Sequence, residues 1–280
     1  NNQLTALPDS LGQLTQLTSL DISRNQLTTL PDSLGQLTQL TDLDISNNQL
    51  TALPDSLGQL TQLTVLDLSG NQLTALPDSL GQLTLLAELD LGNNQLTTLP
   101  EWIGDLSHLV NLYADRNLLT VLPESLSNLS QLTFLRIFSN QLAFIPNWIE
   151  KLTKLQILWI GYDLGGNPIT EIPDLFISLP SFRILRANRC QLSDLPLSLA
   201  KLEHLEALYL DDNPLNPALQ SAYDQGLDAL KAYLRSLEQN AEPLYEAKLV
   251  LVGEGNVGKT TLLKALKHEK GEGAPRKDER

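Results

Sequence analysis

The chain is dominated by a unit of 23 residues that recurs from its first residues to about residue 216. The unit reads L-x-x-L-x-L-x-x-N-x-L-x-x-L-P-x-x-L-x-x-L-x-x. A unit this short cannot bury its own apolar face, so neighbouring units must stack and share one continuous core. The repeat therefore predicts an elongated solenoid. The complete units open at Leu17, Leu40, Leu63, Leu86, Leu109, Leu132, Leu155, Phe182 and Leu205.

The L-x-L segment of each unit alternates apolar and polar residues, which is typical of a half-buried strand. In the first complete unit it directs Leu20 and Ile22 inward, while Ser19, Asp21 and Ser23 face outward. The pattern is the signature of leucine-rich repeats. The resemblance implies an α/β fold whose stacked strands form a curved parallel sheet on the concave side of the solenoid.

Asparagine recurs at one position of the unit, where its amide can donate to and accept from the backbone of a tight turn. Cys190 stands at this position in its own unit, and we interpret it as a structural substitute. The Leu-Pro pair that follows, as in Leu30-Pro31, predicts short turns or single-turn helices on the convex side. The asparagines are Asn25, Asn48, Asn71, Asn94, Asn117, Asn140 and Asn167.

The repeat pattern stops at Pro214-Leu215-Asn216-Pro217, and a helical pattern follows. Apolar residues then recur at steps of three and four, which places them on one helix face that can cap the last repeat. These residues are Leu219, Tyr223, Leu227, Leu230, Leu234 and Leu237. We divide the chain into a solenoid at 1–216, a capping and linker helix at 217–242, a strand-loop-helix unit at 243–268 and a tail at 269–280 that we expect to be disordered.

Residues 253–260 read G-E-G-N-V-G-K-T and match the phosphate-binding loop, or P-loop, pattern G-x-x-x-x-G-K-[ST]. The apolar segment 248–252 before the motif predicts a strand, and residues 260–266 predict a helix, which is the context that the motif requires. Backbone N–H groups of such a loop converge on phosphate oxygens. The predicted phosphate-binding residues are Gly253, Glu254, Gly255, Asn256, Val257, Gly258, Lys259, Thr260 and Thr261.

In this motif, Lys259 is expected to pair with the terminal phosphates and the Thr260 hydroxyl to join the coordination shell of Mg²⁺. Twenty residues follow Thr260, whereas one strand-helix-strand unit takes about 30 residues. We therefore expect the chain to be part of a longer protein, and we expect this part to bind no cofactor and to be catalytically inactive by itself. The residues present leave GTP and ATP as alternatives.

The outward-facing residues of the predicted sheet change along the solenoid. Four aspartates at Asp21, Asp44, Asp67 and Asp90 give way to aromatic and arginine side chains. These are the residue types that dominate protein interfaces, so the change predicts a partner-binding patch on the concave face. Four extra residues near 162–165 should bulge beside it. The patch comprises Tyr113, Phe134, Arg136, Phe138, Ile157, Trp159, Ile184, Arg186 and Tyr209.

The net charge is -14, and most of the acidic excess lies in residues 1–132. Such a surface repels phosphate backbones, which argues against nucleic acid as a partner and makes a basic protein electrostatically easier to bind. The alternative, which we favour for the acidic residues themselves, is that they keep a long solenoid soluble. The sequence holds one cysteine and no apolar run of transmembrane length. A single cysteine is compatible with a reducing compartment, so we expect a cytoplasmic location.

With repeats, a capping helix and a P-loop in this order, the whole chain resembles the bacterial Roco proteins. The resemblance implies that residues 253–261 belong to a Roc domain that binds GTP or GDP with Mg²⁺ and hydrolyses GTP. It also implies that a COR dimerisation domain follows and that the parent cycles between monomer and dimer with nucleotide state. The repeats would then contact a protein partner or the parent's own Roc-COR core through the concave face.

A second interpretation is a leucine-rich-repeat recognition scaffold in an ATP-binding, immune-receptor-like protein. The order of the domains separates the two, because in such receptors the repeats usually follow the nucleotide domain, and here they precede the motif. The identity of the partner, and whether the repeats inhibit or recruit, stays open at this point.

Overall fold

A computed structural model of the protein describes residues 2–240. Within this range, nine parallel strands of three residues each pair in chain order to form one sheet. The strands are β1 (Ser19–Asp21), β2 (Asp42–Asp44), β3 (Val65–Asp67), β4 (Glu88–Asp90), β5 (Asn111–Tyr113), β6 (Phe134–Arg136), β7 (Ile157–Trp159), β8 (Ile184–Arg186) and β9 (Ala207–Tyr209).

All neighbouring strands pair at the same repeat position. Leu20 is opposite Leu43 in β1 and β2, and the register holds across the longer unit, where Trp159 is opposite Arg186. Equivalent residues therefore form continuous columns across the sheet. The leucine in the middle of each strand faces the core, and the residues on either side of it face the concave surface.

Short 3-10 helices form the other side of each repeat, as the Leu-Pro pairs predict. All except Phe176–Ser178 start directly after a proline, whose extended backbone sets the direction in which the helix begins. They span Asp9–Gln13, Asp32–Gln36, Asp55–Gln59, Asp78–Gln82, Glu101–Asp105, Glu124–Asn128, Asn147–Lys151, Phe176–Ser178 and Leu197–Lys201.

Buried asparagines join each repeat to the one before it. The side-chain oxygen of Asn117 accepts a hydrogen bond from the Leu96 amide at 2.9 Å, and its Nδ2 donates to the carbonyl oxygens of Leu91 at 2.9 Å and Ala114 at 3.3 Å. One amide thus satisfies backbone groups of two repeats that the turn would otherwise bury unpaired. The arrangement recurs at Asn48, Asn71, Asn94, Asn140 and Asn167.

Cys190 replaces this asparagine in the eighth complete repeat. Its thiol is buried, and Sγ lies 3.8 Å from the carbonyl oxygen of Ile160, the group to which an asparagine would donate. Burial raises the pKa of the thiol to about 11. A protonated, enclosed thiol is a poor nucleophile, and this agrees with the structural role that the repeat position predicts.

The predicted cap is divided into two helices, α1 (Pro217–Asp224) and α2 (Leu227–Asn240). The break falls at Gly226, whose φ of +102° favours glycine and interrupts the helical backbone. The side chain of Asn216 starts α1 by accepting a hydrogen bond from the amide of Leu219. Of the apolar residues expected on one buried face, Leu237 is 36% exposed and lies outside the core.

The cap covers the last repeat with both apolar and polar groups. Leu219, Leu230 and Leu234 are buried, while the Lys231 ammonium donates to the carbonyl oxygen of Leu202 at 2.8 Å. Burial lowers the pKa of Lys231, which agrees with an ammonium held against the solenoid. The predicted nucleotide unit at 243–268 and the tail at 269–280 lie outside the described residues. No helix within residues 2–240 has the length and hydropathy needed to cross a bilayer.

Candidate functional site

The aligned register places the predicted patch on the concave side of β5 to β9. Eight of its nine residues are partly exposed there, and Phe138 is the exception. The Phe138 side chain is only 4% exposed, because its ring packs against Tyr162 at 5.2 Å and beneath the guanidinium of Arg116 at 5.8 Å. Phe138 therefore supports the patch from below and adds almost no surface to it.

Aromatic rings form a connected chain across three strands. The rings of Tyr113 and Phe134 meet edge to face with centroids 5.2 Å apart, and those of Phe134 and Trp159 meet at the same distance. Trp159 then stacks on Tyr162 at 5.3 Å with an interplanar angle of 5°. Each ring restricts the orientation of the next, so the patch is preorganised for binding.

The four extra residues of the longer repeat build a small turn beside this chain. The backbone groups of Tyr162 and Gly165 exchange two hydrogen bonds, of 3.1 and 3.0 Å. The turn is what brings the Tyr162 ring onto Trp159. The sequence places the insertion next to Trp159, and the predicted patch does not include Tyr162, although an aromatic residue within an insertion is a usable signal.

Arg136 is enclosed by carboxylates. Its Nε donates to Asp115 at 2.5 Å and its Nη2 to Asp90 at 3.2 Å, while its guanidinium carbon lies 4.2 Å from the centroid of the Tyr113 ring. The sequence pattern predicts Arg136 as a binding residue and does not identify these two acids as its partners. The two carboxylates more than balance the single positive charge of Arg136.

Arg186 sits two strands away in the same column and is held in a different way. Its guanidinium carbon lies 4.2 Å from the ring centroid of Tyr209, 4.7 Å from that of Trp159 and 5.1 Å from that of Tyr162. Within residues 2–240 it forms no salt bridge and no side-chain hydrogen bond. The patch thus contains one cation paired with acids and one supported by aromatic rings alone.

Asp90 is the most perturbed carboxyl of the acidic column. Burial raises its pKa to about 6, and the nearby Asp67 and Asp115 carboxylates add to this, while the Gly92 amide and Arg136 oppose it. The partially desolvated site therefore favours the protonated acid more than the unfolded chain does. Asp21, at the exposed end of the column, has a lowered pKa because its carboxylate accepts hydrogen bonds from Ser23.

The raised pKa of Asp90 predicts a pH-dependent stability. Since the folded value lies above the ordinary value near 4, the folded state binds the proton more tightly, and stability should fall as pH rises from about 4 to about 6. Asp90→Asn removes this loss and keeps an acceptor for the Gly92 amide at 2.8 Å. We expect a gain of about 1–2 kcal/mol in unfolding free energy at pH 7, allowing for residual exposure and the lost ion pair.

Urea unfolding at pH 4 and pH 7 measures this effect. The gain should be present at pH 7 and should shrink towards pH 4, where Asp90 is protonated in the wild type. Asp21→Asn is the matched control in the same column. This substitution should not raise the unfolding free energy, because the pKa of Asp21 is lowered and not raised. An identical pH dependence for wild type and Asp90→Asn would contradict the prediction.

A metal centre is not formed within residues 2–240, where no three histidine, cysteine, aspartate or glutamate side chains are placed to hold an ion. The concave patch offers instead rigid aromatic surface, apolar side chains from β7 and β8, and a cation. These are the properties of a surface that binds a protein.

Comparisons with known proteins agree with the repeat architecture. A family model described as "Leucine-rich repeat region" matches residues 32–115, and one described as "Leucine rich repeat" matches residues 1–50. A leucine-rich-repeat protein of Leptospira interrogans has a solved structure that superposes with a TM-score of 0.67 at 29% identity, over 81% of this chain and 63% of that one.

Two curated proteins match shorter parts of the chain. A probable serine/threonine-protein kinase, pats1, from Dictyostelium discoideum is 39% identical over 88 residues, or 31% of this chain and 3% of its own length. A Roc-COR-CHAT protease from Runella zeae is 40% identical over 70 residues, or 23% of this chain and 8% of its own length. The chain thus spans a small part of either relative. What these comparisons and the sheet topology show together is a leucine-rich-repeat solenoid with parallel strands.

Proposed function

We propose that the chain is the recognition region of a Roco-type GTPase, in which the concave patch binds a protein segment from a partner or from the parent's own Roc-COR core. The observation that carries the recognition role is the connected aromatic chain from Tyr113 to Tyr162, which ends at Arg186, a cation that forms no salt bridge within residues 2–240. The curated relative named a Roc-COR-CHAT protease supports a Roco setting.

The patch has the features that make an interface strong. Its rings are fixed by one another, so a partner loses little free energy in ordering them. Partly exposed Ile157 and Ile184 extend the apolar area beside Trp159. Aromatic and arginine residues dominate binding energy where they are clustered and shielded from water. Phe134, Trp159 and Arg186 lie on the adjacent strands β6, β7 and β8, and Tyr162 lies in the turn after β7.

The nucleotide half of the proposal rests on the sequence of residues 253–261. In the parent, the glycine-rich loop would bind the phosphates through its backbone N–H groups, Lys259 would pair with the terminal phosphates, and Thr260 would hold Mg²⁺. The bound Mg²⁺ would supply charge that stabilises the phosphates during transfer to water. The repeats precede this motif, which favours a Roco protein over an immune-receptor-like ATPase.

Nucleotide competition in the full-length parent tests this assignment. A fluorescent GDP analogue is displaced with GTP, GDP and ATP, and we expect GTP and GDP to compete at least about a hundredfold better than ATP. Lys259→Ala should reduce the affinity for guanine nucleotides by a similar factor, since it removes the positive charge that pairs with the terminal phosphates. Lys267→Ala, outside the motif, is the matched control and should bind normally. Preference for ATP would make the Roco assignment wrong.

A further inference from the structure

The two arginines of the concave column differ in how their charge is balanced. Arg136 touches Asp90 and Asp115, and its net charge with them is negative. Arg186 touches the rings of Trp159, Tyr162 and Tyr209, none of which carries a formal charge at neutral pH. A ring attracts a cation through its negative face but does not replace an anion.

We propose that Arg186 receives a carboxylate of the bound protein segment, an aspartate or glutamate side chain, and that Arg136 is a structural cation with no direct part in binding. This proposal rests on the recognition role of the concave patch and names the chemistry of its partner. Arg186 is then the residue that determines specificity.

The aromatic contacts prepare Arg186 for this task. Rings packed over the guanidinium hold the side chain in place, and its N–H groups make no hydrogen bond within residues 2–240. A planar guanidinium held in one orientation can donate two parallel hydrogen bonds to a carboxylate. Because the rings also displace water from its faces, the ion pair forms at a partly desolvated site, where it is stronger than at an open surface.

The distribution of charge along the sheet defines the orientation in which the partner segment binds. β8 carries Arg186, whereas β2 and β3 carry Asp44 and Asp67 in the same column. At about 4.8 Å per strand, β3 and β8 are about 24 Å apart, which about seven extended residues span. The complementary segment places its acidic residue on β8, apolar residues over Trp159 and Phe134, and a basic residue towards β3.

The same charge pattern favours a carboxylate over a phosphate. The net charge of -14 opposes ligands with several negative charges, and the aspartates of the column lie on the path of any ligand that crosses the sheet. A segment with one carboxylate at β8 and a basic residue towards β3 places an opposite charge against Arg186 and against the aspartates.

Selection from a phage library of random peptides of about twelve residues on the full chain tests the proposal. We expect enriched peptides to share one acidic residue next to an apolar residue. Synthetic copies should bind Arg186→Gln about tenfold to a hundredfold more weakly than the wild type. Arg186→Glu should select a basic residue at the position of the acid. Arg183→Gln is the matched control, because Arg183 lies three residues earlier and is paired with Glu206 at the exposed edge.

The other outcomes distinguish failure of the recognition role of the patch from failure of the role assigned to Arg186. No enrichment on the wild type, or the same peptides on Trp159→Ala, would overturn the recognition role itself and this inference with it. Enriched peptides that depend on Trp159 but carry no acid, or that bind Arg186→Gln as tightly, would overturn the role of Arg186 alone. If a copy with phosphoserine at the position of the acid binds more tightly than the glutamate peptide, the proposal that Arg186 receives a carboxylate is wrong, and the preferred group is a phosphate.

Discussion

Replacement of Asn117 by alanine is expected to lower the free energy of unfolding by about 3–5 kcal/mol, because it leaves several buried backbone groups unpaired at once. The side chain accepts from the Leu96 amide and donates to carbonyl oxygens of Leu91, Ala114 and Asp115. Asn117 is only 5% exposed, so water cannot take over these bonds.

Urea unfolding followed by tryptophan fluorescence measures the loss. Asn25→Ala is the matched control, because Asn25 occupies the same repeat position at a partly exposed site. It makes the bonds of Asn117 to the amide 21 residues earlier and to the turn carbonyls, but has no counterpart of the bond to Leu91. Water can replace its bonds, so we expect a loss of about 1 kcal/mol or less there. Hydrogen exchange of the Leu96 amide should accelerate in Asn117→Ala before the rest of the repeat exchanges. Equal losses for the two variants would refute the role of buried pairing.

Gly161→Ala is expected to cost about 3 kcal/mol, because the added Cβ meets the backbone of the next repeat. The Cβ would collide with the carbonyl oxygen of Asn188 and would lie 2.8 Å from the carbonyl carbon of Ala187. Backbone at this point is fixed by the sheet, since the Gly161 amide donates to the Arg186 carbonyl oxygen at 3.1 Å. The two repeats must move apart to admit the methyl group.

Gly92→Ala is the matched control for this prediction. Gly92 follows β4 by two residues, as Gly161 follows β7, but a Cβ there would meet side-chain atoms, the nearest being Asp90 Oδ1 at 3.0 Å and Asp115 Oδ1 at 3.2 Å. Side-chain ends can shift, so we expect a cost of about 1 kcal/mol or less. Comparable urea midpoints for Gly161→Ala and Gly92→Ala would show that the close approach of the repeats has no energetic consequence.

The strand columns and the asparagine positions could be predicted from the sequence because they follow from local periodicity. A three-residue alternation fixes which side chains face the core, and a constant unit length fixes the register of every strand pair except β7 with β8, where the unit is four residues longer. Asn117 lies where the repeat consensus places it, and its hydrogen bonds need no information beyond the neighbouring repeat.

The structure differs from the sequence predictions where the environment of a residue depends on partners that are distant in sequence. Arg136 and Arg186 look alike in the sequence, yet Asp90, which neutralises Arg136, lies 46 residues before it. Phe138 becomes buried because an inserted tyrosine covers it, and no repeat pattern anticipates that contact. The helical periodicity of residues 219–237 continues through Gly226, whose positive φ breaks the helix. The assignment of residues 253–261 stays a prediction.

The turn at residues 162–165 lengthens its repeat without interrupting the asparagine contacts. The bond from the Leu142 amide to Asn167 spans 25 residues where other repeats span 21, and its length of 3.1 Å is unchanged. The solenoid therefore contains a position at which the chain can gain or lose residues while its stacking is preserved. Variation of loop length there, next to Trp159 and Arg186, is a route by which related proteins could acquire new partners without refolding the scaffold.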